Sequence, residues 1–187
     1  MFKHWAILVT LLLIGTFLVS CQTASQIDEY IYRSNAAASY AEASEILNQG
    51  LKRWPSSERL LYNAAIVEAY QGEFSTAIET LKTLNILSEE ANVKYLKALA
   101  GVALAADNRP LALESYHKVL ALDPLDSTVR FKVVDLLSAT QEYSEAYNLV
   151  YEAYLNGDFS EEVINSLAEL TVLLGKTENP WEIIRDL

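Results

Sequence analysis

The chain has 187 residues, 51% of them apolar, and a formal net charge of −11 at pH 7. This length and composition are sufficient for one domain with a hydrophobic core. The acidic excess argues against nucleic acid as a partner, because neutralising phosphates requires clustered Lys and Arg.

The first 20 residues have the layout of a secretory signal peptide. Lys3 lies in a short basic segment, residues 5–19 are an apolar run, and the small residue Ser20 precedes Cys21. The run is shorter than the roughly 20 apolar residues of a membrane-spanning helix. We therefore expect residues 1–20 to be removed on export.

Residues 18–21, Leu-Val-Ser-Cys, resemble the lipobox of bacterial lipoproteins, in which the cysteine is diacylated on sulfur and becomes the new N-terminus. Cys21 is the only cysteine, so it cannot form an internal disulfide. The resemblance implies a covalent acyl lipid on Cys21 and no other cofactor. It places the protein on the extracytoplasmic side of a bacterial cell envelope, with the choice of inner or outer membrane open. Residues 21–26 are then a lipidated tether, and residues 27–187 are the folded domain.

Apolar periodicity predicts that the domain is all-α. No stretch alternates apolar and polar residues for long enough to indicate a strand. A short C-terminal helix is predicted after Asn179, with Pro180 at its first position and Trp181, Ile184 and Leu187 on one side. The nine longer predicted helices cover residues 27–37, 40–53, 60–71, 74–87, 93–106, 111–122, 128–140, 143–155 and 161–174.

A sequence pattern recurs at intervals of 34 or 35 residues. Its small central residues are Ala43, Ala77, Ala112 and Ala146. Three positions earlier stand Tyr40, Phe74, Arg109 and Tyr143, and four positions later stand Leu47, Leu81, Tyr116 and Val150. A fixed period of this size is typical of stacked helical hairpins. We expect the alanines to let paired helices approach and the three aromatic residues to fill the space beside them.

These hairpins resemble the tetratricopeptide repeat, a helix-turn-helix unit of about 34 residues. Gly72 falls at the turn of a repeat, and Pro55 and Pro124 fall at repeat ends, as in that family. The resemblance implies a right-handed superhelical solenoid of about 4.5–5 repeats with a short C-terminal capping helix. Arg130 occupies a position that usually holds a large apolar residue, so residues 128–140 match the pattern least well.

The resemblance also implies a protein-binding adaptor or scaffold, in an envelope assembly, secretion or uptake complex. Such proteins hold a peptide or helix in a groove lined by the first helices of their repeats. We expect aromatic walls, a floor around Gly101 and a cationic rim. The alternative is a small-ligand-binding or transport accessory protein with a pocket around Gly101. The implied groove residues are Asp28, Tyr32, Tyr62, Asn63, Ile66, Tyr70, Lys94, Lys97, Gly101, Leu104, Phe131, Lys132 and Asp135.

Residue types that support catalysis are scarce in this sequence. His117 is the only histidine beyond the signal segment, and it has neither a second histidine nor a free cysteine to act with. Glu161 and Glu162 stand at a predicted helix start, where carboxylates interact favourably with the helix dipole. We therefore predict no catalytic residue and no metal site, and we expect His117 to lie on a helix surface.

Overall fold

The computed structural model describes residues 23–88 and 91–175. Within these ranges every regular element is an α-helix, which confirms the predicted all-α class. The predicted signal peptide, Cys21 and the predicted C-terminal capping helix lie outside the described residues. The helices are α1 (residues 23–35), α2 (Tyr40–Arg53), α3 (Glu58–Tyr70), α4 (Phe74–Leu87), α5 (Val93–Ala105), α6 (Arg109–Leu122), α7 (Ser127–Ala139), α8 (Tyr143–Leu155) and α9 (Glu161–Leu173).

The observed helix boundaries agree with the predicted ones to within two residues from α2 onwards. Helix α6 begins before Pro110 because the Asn108 side chain accepts a hydrogen bond from the Leu111 amide and caps the helix. Proline fits the first turn, where its missing N–H has no helical partner to lose. Helix α1 differs more: it already covers residues 23–26, which were predicted to be a non-helical tether. Those residues include no Gly or Pro that would interrupt a helix.

The turns that follow α3, α5 and α7 have the same backbone conformation, although only the first of them contains glycine. Gly72 has a φ of 80°, and Asp107 and Gln141 occupy the same left-handed region at 54° and 65°. In all three turns the next residue's amide donates to the carbonyl oxygen five positions back, at 2.8–2.9 Å. A Cβ atom makes this conformation costly, so Asp107 and Gln141 carry local strain.

The chain divides into two compact units, Met1–Glu90 and Ala91–Leu187, called here the N-terminal and C-terminal units. In the N-terminal unit, α3 packs against both α2 and α4. In the C-terminal unit, each helix from α5 to α9 packs against the next one along the chain. Both units are therefore built from sequential helix pairing, as expected for a repeat protein.

The repeat alanines lie in the interior, as predicted. Ala43, Ala77, Ala112 and Ala146 are all buried, and so are the bulky residues four positions after them. An alanine at these positions brings two helices close together, and the larger residue one turn later fills the remaining space.

Helix α7 forms despite the charged residue in its interior face. The Arg130 guanidinium is buried, and it donates to a carboxylate oxygen of Asp158 and to the carbonyl oxygen of Pro124, both at 2.9 Å. A buried charge is tolerated when it is paired and its remaining donors find acceptors.

Two further observations concern the surface. Val172 and Leu173 of α9 are exposed, next to the segment in which the capping helix was predicted. No helix in the described ranges is long and apolar enough to cross a bilayer.

Candidate functional site

A cavity of about 610 Å³ opens in the N-terminal unit between the α1–α2 turn and the second half of α3. Three predicted groove residues, Asn63, Ile66 and Tyr70, come together there. The cavity is lined by Ser34, Asn35, Ala37, Ala38, Ser39, Tyr40, Ala43, Asn63, Ile66, Val67 and Tyr70.

The cavity exists because a firmly held turn carries small side chains. The Ser39 hydroxyl oxygen accepts a hydrogen bond from the Glu42 amide at 3.2 Å, and the Glu42 carboxylate accepts one from the Ala38 amide at 2.9 Å. This reciprocal pair resembles a capping box and fixes where α2 begins. Ala37, Ala38 and Ala43 then present only methyl groups, which are too small to fill the space beside α3.

Two tyrosines form one wall of the cavity. The rings of Tyr40 and Tyr70 are stacked, with centroids 5.1 Å apart and planes 4° apart. Tyr40 is 51% exposed and Tyr70 is 66% exposed. The prediction that Tyr40 packs inside its hairpin is therefore wrong, whereas Phe74 and Tyr143 are partly buried. Stacking on Tyr70 gives the Tyr40 ring an aromatic neighbour and leaves its hydroxyl near water.

The remaining lining residues make the cavity neutral. None of them carries a charged side chain. The Asn63 amide nitrogen donates to the Arg59 carbonyl oxygen at 2.7 Å, which leaves the side-chain carbonyl oxygen as an acceptor. Ile66 and Val67 supply apolar surface. This combination favours an uncharged apolar or aromatic group, oriented by a small number of hydrogen bonds.

The other predicted groove residues of the N-terminal unit lie outside the cavity lining. Tyr32 is an exposed residue of α1, and Tyr62 is a partly buried residue of α3. Asp28 forms a surface ion pair with Arg59, which links α1 to α3.

In the C-terminal unit, the predicted rim cation Lys97 forms an ion pair with Asp126. Asp126 is largely buried and caps α7 by accepting a hydrogen bond from the Val129 amide at 3.1 Å. Burial alone would raise the pKa of Asp126. The Lys97 ammonium, the Val129 amide and the Lys132 charge together hold that pKa below its ordinary value. Lys97 therefore links α5 to the start of α7, whereas Lys94 and Asp135 are exposed residues of those helices.

The remaining predicted residues of this unit mostly contact its interior. Leu104 and Phe131 are partly buried against the core, and the Lys132 ammonium lies 5.7 Å from the centre of the Tyr116 ring. Gly101 is open, since a Cβ added there would meet no neighbouring atom within 4 Å. The cavity described above belongs to the other unit, so it differs from the pocket expected around Gly101.

Side chains with catalytic potential are dispersed in the described part of the chain. His117 is partly exposed on α6, as predicted, and its Nε2 lies 3.7 Å from a carboxylate oxygen of Glu145. No group of three or more His, Cys, Asp or Glu residues within residues 23–88 and 91–175 could hold a metal ion.

Sequence reasoning did not identify the turn residues that shape the cavity. The signal was the run Ala36-Ala37-Ala38-Ser39 between two helices, in which three small residues precede a helix cap. Sequence reasoning also missed the shifted carboxyl group of Glu68 in α3. Burial raises the pKa of this carboxyl. A 2.9 Å hydrogen bond from the Thr80 hydroxyl lowers the pKa in part, and the nearby Glu73 charge raises it further.

Comparison with known proteins identifies the fold through structure and not through sequence. No family model matches the chain, and no curated protein matches it significantly. The crystal structure of MamA superposes with a TM-score of 0.66 at 14% identity, over 88% of this chain and 89% of that one. A tetratricopeptide repeat protein from Parabacteroides merdae gives 0.68 at 18% identity, over 88% of this chain and 65% of that one. YrrB, described as a TPR protein with an unusual peptide-binding site, gives 0.62 at 17% identity, over 87% of this chain and 89% of that one.

Proposed function

We propose that this chain, whose fold is that of the tetratricopeptide-repeat proteins, is a non-enzymatic scaffold that binds a peptide segment of a protein partner. The observation that carries the proposal is the neutral, tyrosine-walled cavity of the N-terminal unit. Aromatic side chains that can be covered by a partner are common sources of binding energy at protein interfaces. YrrB, which shares the fold, is a peptide-binding protein by its description, and this supports the same class of ligand.

The openness of the tyrosine wall favours a peptide over a small molecule. A volume of about 610 Å³ falls within the range typical of small-ligand sites, roughly 300–1,000 Å³. Such sites, however, usually enclose most of their ligand, whereas Tyr40 and Tyr70 are each more than half exposed. A peptide can place one apolar or aromatic side chain in the cavity while its backbone remains partly in water. The small-ligand alternative is retained as an outcome of the experiment below.

The second part of the proposal is a lipid anchor at Cys21, on the extracytoplasmic side of a bacterial membrane. It rests on the signal-peptide layout and on the Leu-Val-Ser-Cys sequence. Only Gln22 separates Cys21 from the described part of α1. One residue spans at most about 3.6 Å, so an acylated Cys21 would hold the N-terminal unit close to the bilayer. The scaffold would then serve an envelope assembly, secretion or uptake complex.

The anchor is tested by intact-mass measurement of the protein purified from membranes. We expect cleavage before Cys21 and the added mass of two or three acyl chains. We expect Cys21→Ser to abolish both the cleavage and the added mass. An unmodified Cys21 in the wild-type protein, or cleavage at another position, would show that the lipoprotein interpretation is wrong.

The cavity is tested with two exposed tyrosines of the same unit. Tyr70→Ala removes a wall of the cavity, and Tyr32→Ala is the matched control because Tyr32 does not line it. We expect Tyr70→Ala to weaken capture of a protein partner from envelope extracts at least tenfold, in line with about 2 kcal/mol for an aromatic anchor. Tyr32→Ala should capture the partner as the wild type does, and both variants should keep the helical circular dichroism signal.

Three outcomes separate the alternatives. Loss of the partner only in Tyr70→Ala supports peptide binding in the cavity. If native mass spectrometry finds a small molecule that Tyr70→Ala loses, and no partner is captured, the small-ligand alternative is correct. Equal capture by all three proteins places the binding surface outside this cavity.

A further inference from the structure

Two neighbouring loops of the C-terminal unit display large apolar side chains to solvent. Leu122 ends α6, and Leu125 lies in the loop that follows it. Leu155 ends α8, and Phe159 lies in the loop that follows that helix. Leu125 is 79% exposed, Leu155 64% and Phe159 52%, and Leu122 is also exposed. Single exposed apolar residues are ordinary, but a cluster of large ones marks an interaction surface.

Arg130 brings the two loops together. Its guanidinium donates to the Pro124 carbonyl oxygen in the α6–α7 loop and to the Asp158 carboxylate in the α8–α9 loop, both at 2.9 Å. A small cavity of about 90 Å³ is lined jointly by Pro124 of the first loop and Asn156 of the second. Because Arg130 is buried, this junction is a fixed part of the unit. Leu125 and Phe159 directly follow the two residues that Arg130 joins, and Leu122 and Leu155 lie two and three positions before those joined residues. These four residues are called here the apolar edge.

The aromatic part of the apolar edge is held in place from below. The Phe159 ring makes an edge contact with Tyr154, at 5.3 Å between centroids. Tyr154 stacks on Tyr151 at 6.2 Å, and Tyr151 stacks on the buried Tyr147 at 5.7 Å. This row of rings fixes Phe159 before any partner arrives. A surface ordered in advance loses less conformational entropy on binding.

The exposed charged side chains of the two loops and the adjoining helix ends are all acidic. Residues 120–128 and 152–163 contain six acidic side chains and no Lys or Arg. Asp126 and Asp158 are paired with Lys97 and Arg130, respectively. The other four, which are all exposed, are Asp123, Glu152, Glu161 and Glu162. This rim would repel an anionic lipid surface and attract a cationic partner.

We propose that the apolar edge binds a cationic amphipathic helix of a partner protein. The partner's apolar face would cover Leu125, Leu155 and Phe159, and its Lys and Arg side chains would face the acidic rim. Helix binding of this kind combines buried apolar anchors with charge complementarity. The apolar edge is separate from the cavity of the N-terminal unit, so it gives the scaffold a second binding surface.

The first experiment measures binding of a labelled amphipathic Leu/Lys peptide to the purified full chain by fluorescence anisotropy. A peptide of the same composition in a non-amphipathic order and an amphipathic Leu/Glu peptide are the controls. We expect the Leu/Lys peptide to bind at least tenfold more tightly than either control, with an affinity that falls as salt is added. No binding of the Leu/Lys peptide, or equal binding of all three peptides, would overturn the proposal.

The second experiment assigns the binding to the apolar edge. We expect L125S combined with F159S to weaken binding at least tenfold, and V172S to leave it unchanged because Val172 is an exposed apolar residue of α9 outside the edge. We expect D123N combined with E152Q to reduce the salt dependence of peptide binding, because the two amides remove the negative charges and have nearly the same size and shape as the carboxylates. Circular dichroism of each variant shows whether it has folded. If V172S and the L125S, F159S double variant are both folded and lose equal affinity for the peptide, the assignment to the apolar edge is wrong.

Other occupants of the apolar edge give distinct results, and each contradicts the proposal. If the wild-type chain self-associates and L125S with F159S abolishes the association, the surface binds a second copy. If deletion of residues 176–187 is required before the peptide binds, this chain's own C-terminus occupies the surface. If vesicles of phosphatidylglycerol bind the wild type but not the L125S, F159S variant, the surface meets lipid.

Discussion

The two units build similar helical hairpins but connect successive hairpins in different ways. In the N-terminal unit, α1 and α3 are linked by the solvent-exposed pair Asp28–Arg59, and small side chains leave an open cavity beside α3. In the C-terminal unit, largely buried side chains of Asp126 and Arg130 make the links. The comparison teaches that one repeat pattern can link successive hairpins through an exposed ion pair in one copy and through buried polar side chains in another.

The largest expected effect is a difference in stability between a variant that loses a buried ion pair and a variant that loses an exposed one. Arg130→Ala would remove the cation that pairs with Asp158, leaving that carboxylate only its hydrogen bonds from Ser160, and would remove the side-chain donor to the Pro124 carbonyl oxygen. We expect it to lower the free energy of unfolding by about 3 kcal/mol. Arg59→Ala removes an exposed pair and should cost at most about 1 kcal/mol. Urea denaturation of both variants provides the measurement. Equal costs would mean that the exposed pair within the N-terminal unit and the buried pair within the C-terminal unit contribute equally to stability.

An effect of intermediate size compares two helical glycines. A Cβ at Gly50 would lie 3.0 Å from Leu60 Cδ1 and 3.2 Å from Tyr30 Cγ, whereas a Cβ at Gly101 would meet nothing within 4 Å. Alanine favours a helix over glycine by about 1 kcal/mol, and overpacking a buried site costs about 1–3 kcal/mol. We expect Gly50→Ala to destabilise the protein by up to about 2 kcal/mol and Gly101→Ala to stabilise it by about 0.5–1 kcal/mol.

Thermal denaturation of the two glycine variants distinguishes the sites, because the melting temperatures should move in opposite directions. Stabilisation by both alanines would mean that Leu60 and Tyr30 can move aside, and that the N-terminal unit is looser at α2 than the distances indicate.

The smallest expected effect is an opposite response of two carboxyl groups to acid. Burial raises the pKa of Glu68 in the N-terminal unit. Hydrogen bonding to Ser160, together with the Arg130 charge, lowers the pKa of Asp158 in the C-terminal unit. The contribution of Glu68 to the free energy of unfolding therefore increases as pH falls through its raised folded pKa. The contribution of Asp158 is present above its ordinary pKa of 3.8 and is lost as pH falls through its lowered folded pKa.

Two neutral variants measure these contributions by denaturation at about pH 7 and about pH 3. We expect Glu68→Gln to be more stable than the wild type near neutrality and to lose that advantage in acid. We expect Asp158→Asn to be less stable than the wild type near neutrality and to approach it in acid. The same sign of change in both variants would contradict the contrast between the units.

Much of the fold could be predicted from the sequence because its strongest signals are local and periodic. Apolar spacing and helix caps located the helices, and the alanines at intervals of 34 or 35 residues identified the packed positions. These signals depend on contacts within a hairpin. Links between hairpins depend on residues about 30 positions apart, and for that reason the repeat pattern identifies Arg130 as a poor match although Asp158 is its partner.

The candidate site was predicted only in part for a similar reason. Asn63, Ile66 and Tyr70 lie on one helix, and the resemblance to the tetratricopeptide repeat assigned all three to the groove. The role of Tyr40 depends on the end of α3, thirty residues further along the chain, where Tyr70 provides the ring on which it stacks. A repeat pattern assigns the same role to equivalent positions in every repeat. It cannot recognise a position, such as Tyr40, that is surrounded by different residues in one repeat.

The left-handed turns at Asp107 and Gln141 have a consequence for the evolution of this chain. Each holds a backbone conformation that glycine would adopt at lower cost, so a single substitution at either turn could raise stability without changing a helix packing contact. Such unused stability increases the number of otherwise harmful substitutions that a lineage can accept. The hairpins could thus diverge in sequence, and acquire new surface chemistry, while their backbone geometry stayed the same.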